Sequence, residues 1–170
     1  MNNIKRKIHV IGINSFRFED LTLVCQELFG RIKYVAAPKP YLKKIKGWML
    51  KKLIEEKNFY ESKSNLDLIN WLKSNHNDVI LISRGDPLWF GIGRILLQNF
   101  SKEELLFYPG KTSIQLAFSR LKKSWQDVKA VSIHGRESNE LIKFLKSKEK
   151  AIAILTDPKN NNLELIRQNL

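Results

Sequence analysis

Val79-Ile80-Leu81-Ile82-Ser83-Arg84-Gly85-Asp86-Pro87 is the stretch that decides the fold. Val79 to Ser83 form a compact apolar run, too short for a helix and rich in β-branched side chains, so they read as a buried strand. Gly85-Asp86-Pro87 then stops it, because glycine and proline punctuate regular structure and proline has no N–H to give to a ladder.

The same alternation of short apolar runs and amphipathic segments extends in both directions. Upstream, Ile8 to Ile13 reads as the opening strand and Tyr34 to Ala37 as a second one that ends at Pro38 and Pro40. Between them, Glu19 and Asp20 precede an apolar-periodic stretch through Leu28 with Gly30 after it, which predicts a helix with an acidic first turn and a glycine stop. Residues 41–63 read poorly, since lysines interrupt Ile45, Trp48, Met49, Leu50, Leu53 and Ile54. A surface helix with its apolar stripe on the core accounts for them better than a membrane-lying one, because Glu55, Glu56 and Glu61 follow directly. Ser64 is placed to cap a helix carrying Leu66, Ile69 and Leu72 on one side.

Downstream, the spacing predicts a helix through Ile95 to Phe100, a strand at Leu105 to Tyr108, a Pro109-Gly110 turn and a helix from Ile114 to Leu121 capped by Thr112 or Ser113. Further strands are expected at Ala130 to Ile133 and Ala151 to Leu155, with helices at Glu140 to Ser147 and from Leu163. The pattern is that of an α/β protein with mostly parallel sheets. It divides into an N-terminal lobe at 1–121, a linker at 122–127 and the start of a second α/β lobe at 128–170.

Composition narrows the function. With 170 residues, 43% of them hydrophobic, the chain can bury a real core. The lone Cys25 has no intramolecular partner and sits in an apolar run, so a buried thiol in a reducing compartment is expected. No run approaches the roughly 18 apolar residues of a membrane span and no leader pattern opens the chain, which points to the cytoplasm. A net charge of +13 favours polyanionic partners: nucleic acid, an acidic lipid surface, or a small molecule edged with carboxylates. A simply solvated basic surface fits it equally.

The motifs exclude several chemistries. Gly110-Lys111-Thr112 ends like a phosphate-binding loop, but the glycine required five residues earlier is Leu105. Gly91-Ile92-Gly93 lacks the third glycine of a dinucleotide fingerprint, at Leu96. Cys25 and the histidines have no metal-ligand spacing. A triad drawn from Ser83, His134 and Asp86 lacks a nucleophile-elbow sequence. What remains is a set of glycine-, proline- and hydroxyl-rich loops after strands, with few titratable groups. Such loops suit a reaction driven by alignment of two substrates, a contribution on the order of 7–11 kcal/mol in favourable cases.

These loops are familiar. Ile82 to Arg94 resembles the Ser-Gly-Asp-Pro-Leu-Phe-Tyr-Gly-Ile-Gly-Arg stretch of precorrin-6Y methyltransferases, members of the tetrapyrrole methylase superfamily. Pro109 to Phe118 is similar to that family's Pro-x-x-Ser-Ser-x-Gln-Leu-Ala-Phe block. Trp125-Gln126-Asp127, Ser132-Ile133-His134-Gly135-Arg136 and Leu155-Thr156-Asp157-Pro158 resemble later blocks, in order. The resemblance implies two α/β lobes, a methyl transfer from S-adenosylmethionine to C5 of a precorrin on the way to cobalamin, with C15 left open, and a homodimer. It implies that Arg84, Gly85, Asp86, Thr112 and Ser113 lie at the cofactor, and that Gly12, His134 and Arg136 lie at the tetrapyrrole. The residues themselves give the expectation of no metal site, no nucleic acid and no membrane partner.

Two departures stand out. Where the family's first loop runs Gly-x-Gly-Pro-Gly, this chain has Gly12-Ile13-Asn14-Ser15-Phe16, whose bulk changes how closely a ligand approaches backbone. The chain also ends at Leu170, so the expectation is an incomplete second lobe and no decarboxylating domain. Both departures motivate an alternative, a catalytically impaired relative that binds a tetrapyrrole or a partner protein. The charge alone motivates a further one, a basic nucleic-acid-binding domain, which no aromatic-studded strand motif or helix-turn-helix signature supports.

Overall fold

Alternation along strand β1 (Ile8–Ile13) serves two cores at once. Ile11 and Ile13 face one side with Val35, Ala37, Ile80 and Ile82, while Ile8 and Val10 face the other with Ala36, Val79 and Leu81. A computed structural model describes residues 6–133, 139–146, 149, 151–156 and 162–168. In its first unit, residues 1–113, β1 joins β2 (Tyr34–Ala37), β3 (Asn58–Glu61), β4 (Val79–Arg84) and β5 (Leu105–Tyr108) in a sheet of order β3-β2-β4-β1-β5. Its paired strands run parallel. Parallel strands buried on both faces need continuous apolar runs, which is why Val79 to Ile82 are all buried.

Helices α1 (Leu23–Arg31) and α2 (Lys39–Leu50) cover the first face. Trp48 of α2 sits edge-on to Phe18 and Phe29, at 5.4 Å from each ring centroid. Each such pair adds about 0.5–1.5 kcal/mol beyond the area it buries. The expected surface helix with an inward stripe is present in α2, where Leu42, Ile45 and Trp48 are buried. Pro38 stands before its first turn and Pro40 within it, where a missing N–H costs nothing. The strand β3, with Phe59 and Tyr60 only half-buried, was not predicted.

The start of α1 differs from expectation. Glu19 and Asp20 form a separate 3-10 turn, and the helix begins after Thr22, whose hydroxyl accepts from the Cys25 N–H at 3.3 Å. Gly30 lies inside the helix and does not end it. Helices α3 (Asn65–Ser74) and α4 (Gly93–Asn99) cover the other face. Ser64 caps α3 by accepting from Asp67 N–H at 3.1 Å, while Asp67 accepts from Lys63 N–H at 2.9 Å. The buried stripe is Leu68, Ile69 and Leu72, and Leu66, which falls off the side of that stripe, is 71% exposed. At the C-terminal end of α3, Arg6 donates to the carbonyls of Leu72 and Asn75, groups a helix end leaves without partners.

The second unit, residues 114–170, holds most of α5 (Ser113–Leu121), then β6 (Lys129–Ser132), α6 (Asn139–Lys146), β7 (Ile152–Leu155) and α7 (Asn162–Gln168). β6 and β7 pair in parallel around Val131, Ile133 and Leu141. The division falls at the start of α5, whereas sequence reading puts the linker after that helix, at 122–127. No described helix is long and apolar enough to cross a membrane.

His9 is buried in β1, its Nδ1 3.0 Å from the Tyr108 hydroxyl and its ring stacked on that phenol. Burial lowers its pKa from 6.5, Asp78 offsets part of that, and Arg31 and Lys7 add to it. The folded chain therefore binds this proton less readily than the unfolded chain. Its contribution to stability is complete above the unfolded pKa of about 6.5 and is lost as pH falls below that value through the lower folded one. The urea midpoint should drop between about pH 7.5 and pH 5.5, and His9→Gln should flatten that slope. An unchanged slope in the variant would remove His9 from the account.

Candidate functional site at the carboxyl edge of the sheet

The sheet order places β4 between β2 and β1, with β5 on the far side of β1. Since all of these strands run the same way, the loops that follow them share one edge, where open α/β sheets gather ligands. On that edge the chain brings glycines from β1, β4 and β5 into backbone contact. A methyl added to Gly12 would stand 1.8 Å from the Gly85 oxygen and 2.6 Å from the Gly110 nitrogen. A methyl on Gly110 would stand 2.4 Å from the Gly12 oxygen. Gly85 N–H donates to Ile13 O at 2.9 Å, and Gly110 N–H donates to Gly85 O at 3.2 Å. Gly85 also turns with φ +61, which a residue with a side chain adopts at a cost.

The glycines make this edge a surface of peptide groups. Lys111 O and Thr112 Cα lie 3.4 and 3.6 Å from where a Gly85 methyl would be. The Asn14 amide then straps the β1 loop to the β5 loop by donating to Lys111 O at 3.0 Å. Thr112 is half-buried immediately before α5, and Ser113 is the exposed first residue of that helix.

The loop from Asp86 to Gly93 folds back on itself. Asp86 Oδ1 accepts from Leu88 N–H at 2.9 Å and its carbonyl from Trp89 N–H at 3.2 Å, while Gly93 N–H donates to Pro87 O at 2.8 Å. Within it Phe90 takes a φ of 50 and stands edge-on to Trp89 at 4.7 Å. A side chain held in that region costs about 1–3 kcal/mol and persists only where its surroundings impose it. Asp86 thus shapes its own turn through one oxygen. Its Oδ2 has no hydrogen bond among the described residues.

Beside the glycines the edge becomes aromatic. Phe16, 38% exposed, lies 5.2 Å from the half-buried Tyr41 at the start of α2, with the rings tilted by 60°. Trp48 Nε1 donates to Phe16 O at 2.8 Å and holds the loop down. Arg84, the exposed last residue of β4, acts on the same group: burial raises the Tyr41 pKa and the Arg84 charge pulls it back part of the way.

Of the residues expected at a site, Gly12, Arg84, Gly85, Asp86, Thr112 and Ser113 all lie on this edge. His134 and Arg136 fall outside the described residues. Sequence reading missed Gly110 as a contact, treated Asn14 and Phe16 only as bulk in the first loop, and gave no role to Tyr41. The signal for Gly110 was its place in the Pro109-Gly110 turn that follows a strand. A shallow hollow of about 400 Å³, lined by Arg31, Ile32, Lys33, Tyr34, Asn77 and Asp78, opens at the opposite end, where β2 and β4 begin. Among the described residues no three His, Cys, Asp or Glu side chains are grouped to hold a metal.

The family model for tetrapyrrole (corrin/porphyrin) methylases matches residues 7–170. The chain belongs to that family. It is therefore a methyltransferase, and tetrapyrrole methylases take their methyl group from S-adenosylmethionine. Among similar proteins, one from Methanocaldococcus jannaschii named a probable cobalt-precorrin-7 C(5)-methyltransferase is 28% identical over 170 residues, covering 96% of this chain and 78% of that protein. The methyltransferase CobJ matches in fold with a TM-score of 0.71 at 15% identity, over 98% of this chain and 77% of that one. The cobalamin-biosynthesis precorrin-6Y methylase CbiE of Archaeoglobus fulgidus matches with a TM-score of 0.63 at 23% identity, over 90% and 73%. The α/β fold with its mostly parallel sheet is that of tetrapyrrole methylases.

Gly12→Ala should destabilise the chain by about 1–3 kcal/mol or more, as overpacking does, because its methyl meets carbonyl and amide atoms that cannot move independently. Gly30→Ala, in a helix with nothing within 4 Å of the added methyl, should stabilise by about 0.4–1 kcal/mol. Urea denaturation of both variants checks the pair. A tolerated Gly12→Ala would mean that the loops do not meet as described.

Proposed function

We propose that the chain methylates C5 of a precorrin ring during cobalamin synthesis. The observation that carries this reading is the junction of Gly12, Gly85 and Gly110, with Asp86 and Thr112 on the same edge. The name of the Methanocaldococcus jannaschii relative supports the choice of C5.

The residues present fit S-adenosylmethionine. Gly12 and Gly110 leave no room for side chains, so peptide N–H and C=O groups line the edge, and these suit the polar ends of such a molecule. The donor, when bound, supplies an electrophilic methyl on a positively charged sulfur, with a neutral thioether as leaving group. The chain's own part is to orient and to exclude water. The segment from Lys111 to Ser113 would take the adenosine and carboxylate ends through its peptide groups and hydroxyls, since the Gly85 and Gly110 N–H groups are already bonded to Ile13 O and Gly85 O. Asp86 would face the ammonium and sulfonium end, where its charge favours the cation. A carbanion-like ring carbon needs alignment more than a strong base, which agrees with an edge holding few titratable groups.

The alternative of an impaired relative rests in part on the bulky loop after Gly12. That loop is held in place by Asn14 and Trp48 and leaves the glycine junction intact, so its bulk does not by itself argue for lost function.

Calorimetric titration should give saturable binding of both S-adenosylmethionine and S-adenosylhomocysteine. Asp86→Asn keeps the acceptor for Leu88 N–H, so it should preserve the turn and weaken the sulfonium ligand about ten-fold, and the neutral thioether less. Incubation with cobalt-precorrin-7 and S-adenosylmethionine should give a product in which one methyl replaces one hydrogen, read by mass spectrometry. Absence of any saturable heat with either ligand would overturn the reading.

A further inference from the structure

Phe16, Tyr41 and Arg84 come from three different segments, yet the sheet order brings them together. β2, β4 and β1 are neighbours, and these residues follow or end those strands at their carboxyl edge. Arg84 lies two residues after Ile82, so it shares the face that Ile82 turns toward α1 and α2.

The cluster is built and not incidental. Phe16 is pinned through its carbonyl by Trp48, whose ring is buried in the core. Asn14, two residues earlier, is tied to Lys111. An aromatic side chain at 38% exposure is thus held open beside a half-buried phenol, at the expense of leaving apolar surface in water. The charges on the edge are unequal in their freedom. Arg17 is occupied by Glu19 and Asp20 at 4.0 and 3.9 Å. Arg84 has no carboxylate within ion-pair range among the described residues. The quoted family pattern carries serine directly before Gly-Asp-Pro, where this chain carries Arg84.

We propose that Phe16 and Tyr41 form an aromatic seat for one face of the tetrapyrrole, and that Arg84 pairs with a carboxylate on its rim, so that Arg84 serves the methyl acceptor and not the donor. A flat conjugated ring with acidic side chains matches both halves of the seat: aromatic surface for its face, a guanidinium fork for its edge. The +13 charge of the whole chain agrees with such an anionic ligand. This inference rests on the reading of the chain as a precorrin methyltransferase.

Two corrinoids separate the halves: cobyrinic acid, which bears free carboxylates, and cobinamide, the same ring with those groups amidated. Absorption titration should show Arg84→Ala weakening cobyrinic acid about ten-fold while cobinamide changes less than about two-fold. Phe16→Ala should weaken both by about ten-fold, and Phe16→Tyr should restore both. S-adenosylhomocysteine affinity, measured on the same samples, should stay within about two-fold in every variant. That last value also shows that a variant has folded.

Three outcomes would overturn the seat. One is unchanged corrinoid affinity in Arg84→Ala and Phe16→Ala. Another is equal loss of corrinoid and thioether binding, which would place Arg84 at the donor. The third is a wild-type chain that binds S-adenosylhomocysteine but neither corrinoid, which leaves the donor site standing. Corrinoid binding without any thioether binding would instead sink the donor reading and keep the seat.

Discussion

Backbone contact among Gly12, Gly85 and Gly110 is the constraint on which the carboxyl edge depends. Strands in a parallel sheet stand about 4.8 Å apart, and the loops leaving them ordinarily diverge to make room for side chains. Here they do not diverge. Each glycine removes the side chain that would force its loop outward; the hydrogen bond from Gly85 to Ile13 continues the β1–β4 ladder past its end, and that from Gly110 to Gly85 joins the loops of the two strands that flank β1. The result is a continuous ledge of peptide groups spanning β1, β4 and β5, rigid because its members are bonded to one another.

That ledge would be unstable without the sheet behind it. β1 and β4 are buried on both faces and pair along their whole length, from Ile8 with Val79 to Ile13 with Arg84. Burying each large aliphatic side chain contributes about 1.5–3 kcal/mol, and these two central strands carry eight of them, from Ile8 to Ile82. Strain in the loops, such as the φ of 50 at Phe90, is tolerated because the strands that anchor them do not move. Rigidity at the strand ends is what a reaction governed by alignment requires.

How much of this was legible follows from range. β1, β2 and β5 were read to the residue, and β4 to within one, because a short β-branched run between breakers is a local signal. β3 escaped because it is an edge strand in which only Phe59 and Tyr60 are apolar, among lysines and glutamates. The start of α1 was misplaced because an acidic pair before an apolar stretch looks like a first turn, whereas Thr22 offered the cap. Gly12, Gly85 and Asp86 could be picked out through the family pattern. The meeting of Gly12 with Gly110 could not, since residues so far apart are joined only by strand order. The pinning of Phe16 by Trp48 is hidden for the same reason.

The same contact explains why one glycine of the family's Gly-x-Gly-Pro-Gly loop persists in this chain and the others do not. Gly12 is the position that faces other backbone on two sides, so any side chain there collides with Gly85 and Gly110 in the loops after β4 and β5. The following positions meet different surroundings. Ile13 points into the core, where an aliphatic side chain is an asset. Asn14 reaches Lys111 O, and Phe16 rests against Tyr41. Loss of the later glycines therefore removes flexibility without blocking the ledge, and it converts a bare loop into one that is strapped and presents a ring. On physical grounds the substitutions from Asn14 to Phe16 change what the edge offers to a second ligand, while the surface shared by Gly12, Gly85 and Gly110 is left as the fold requires it.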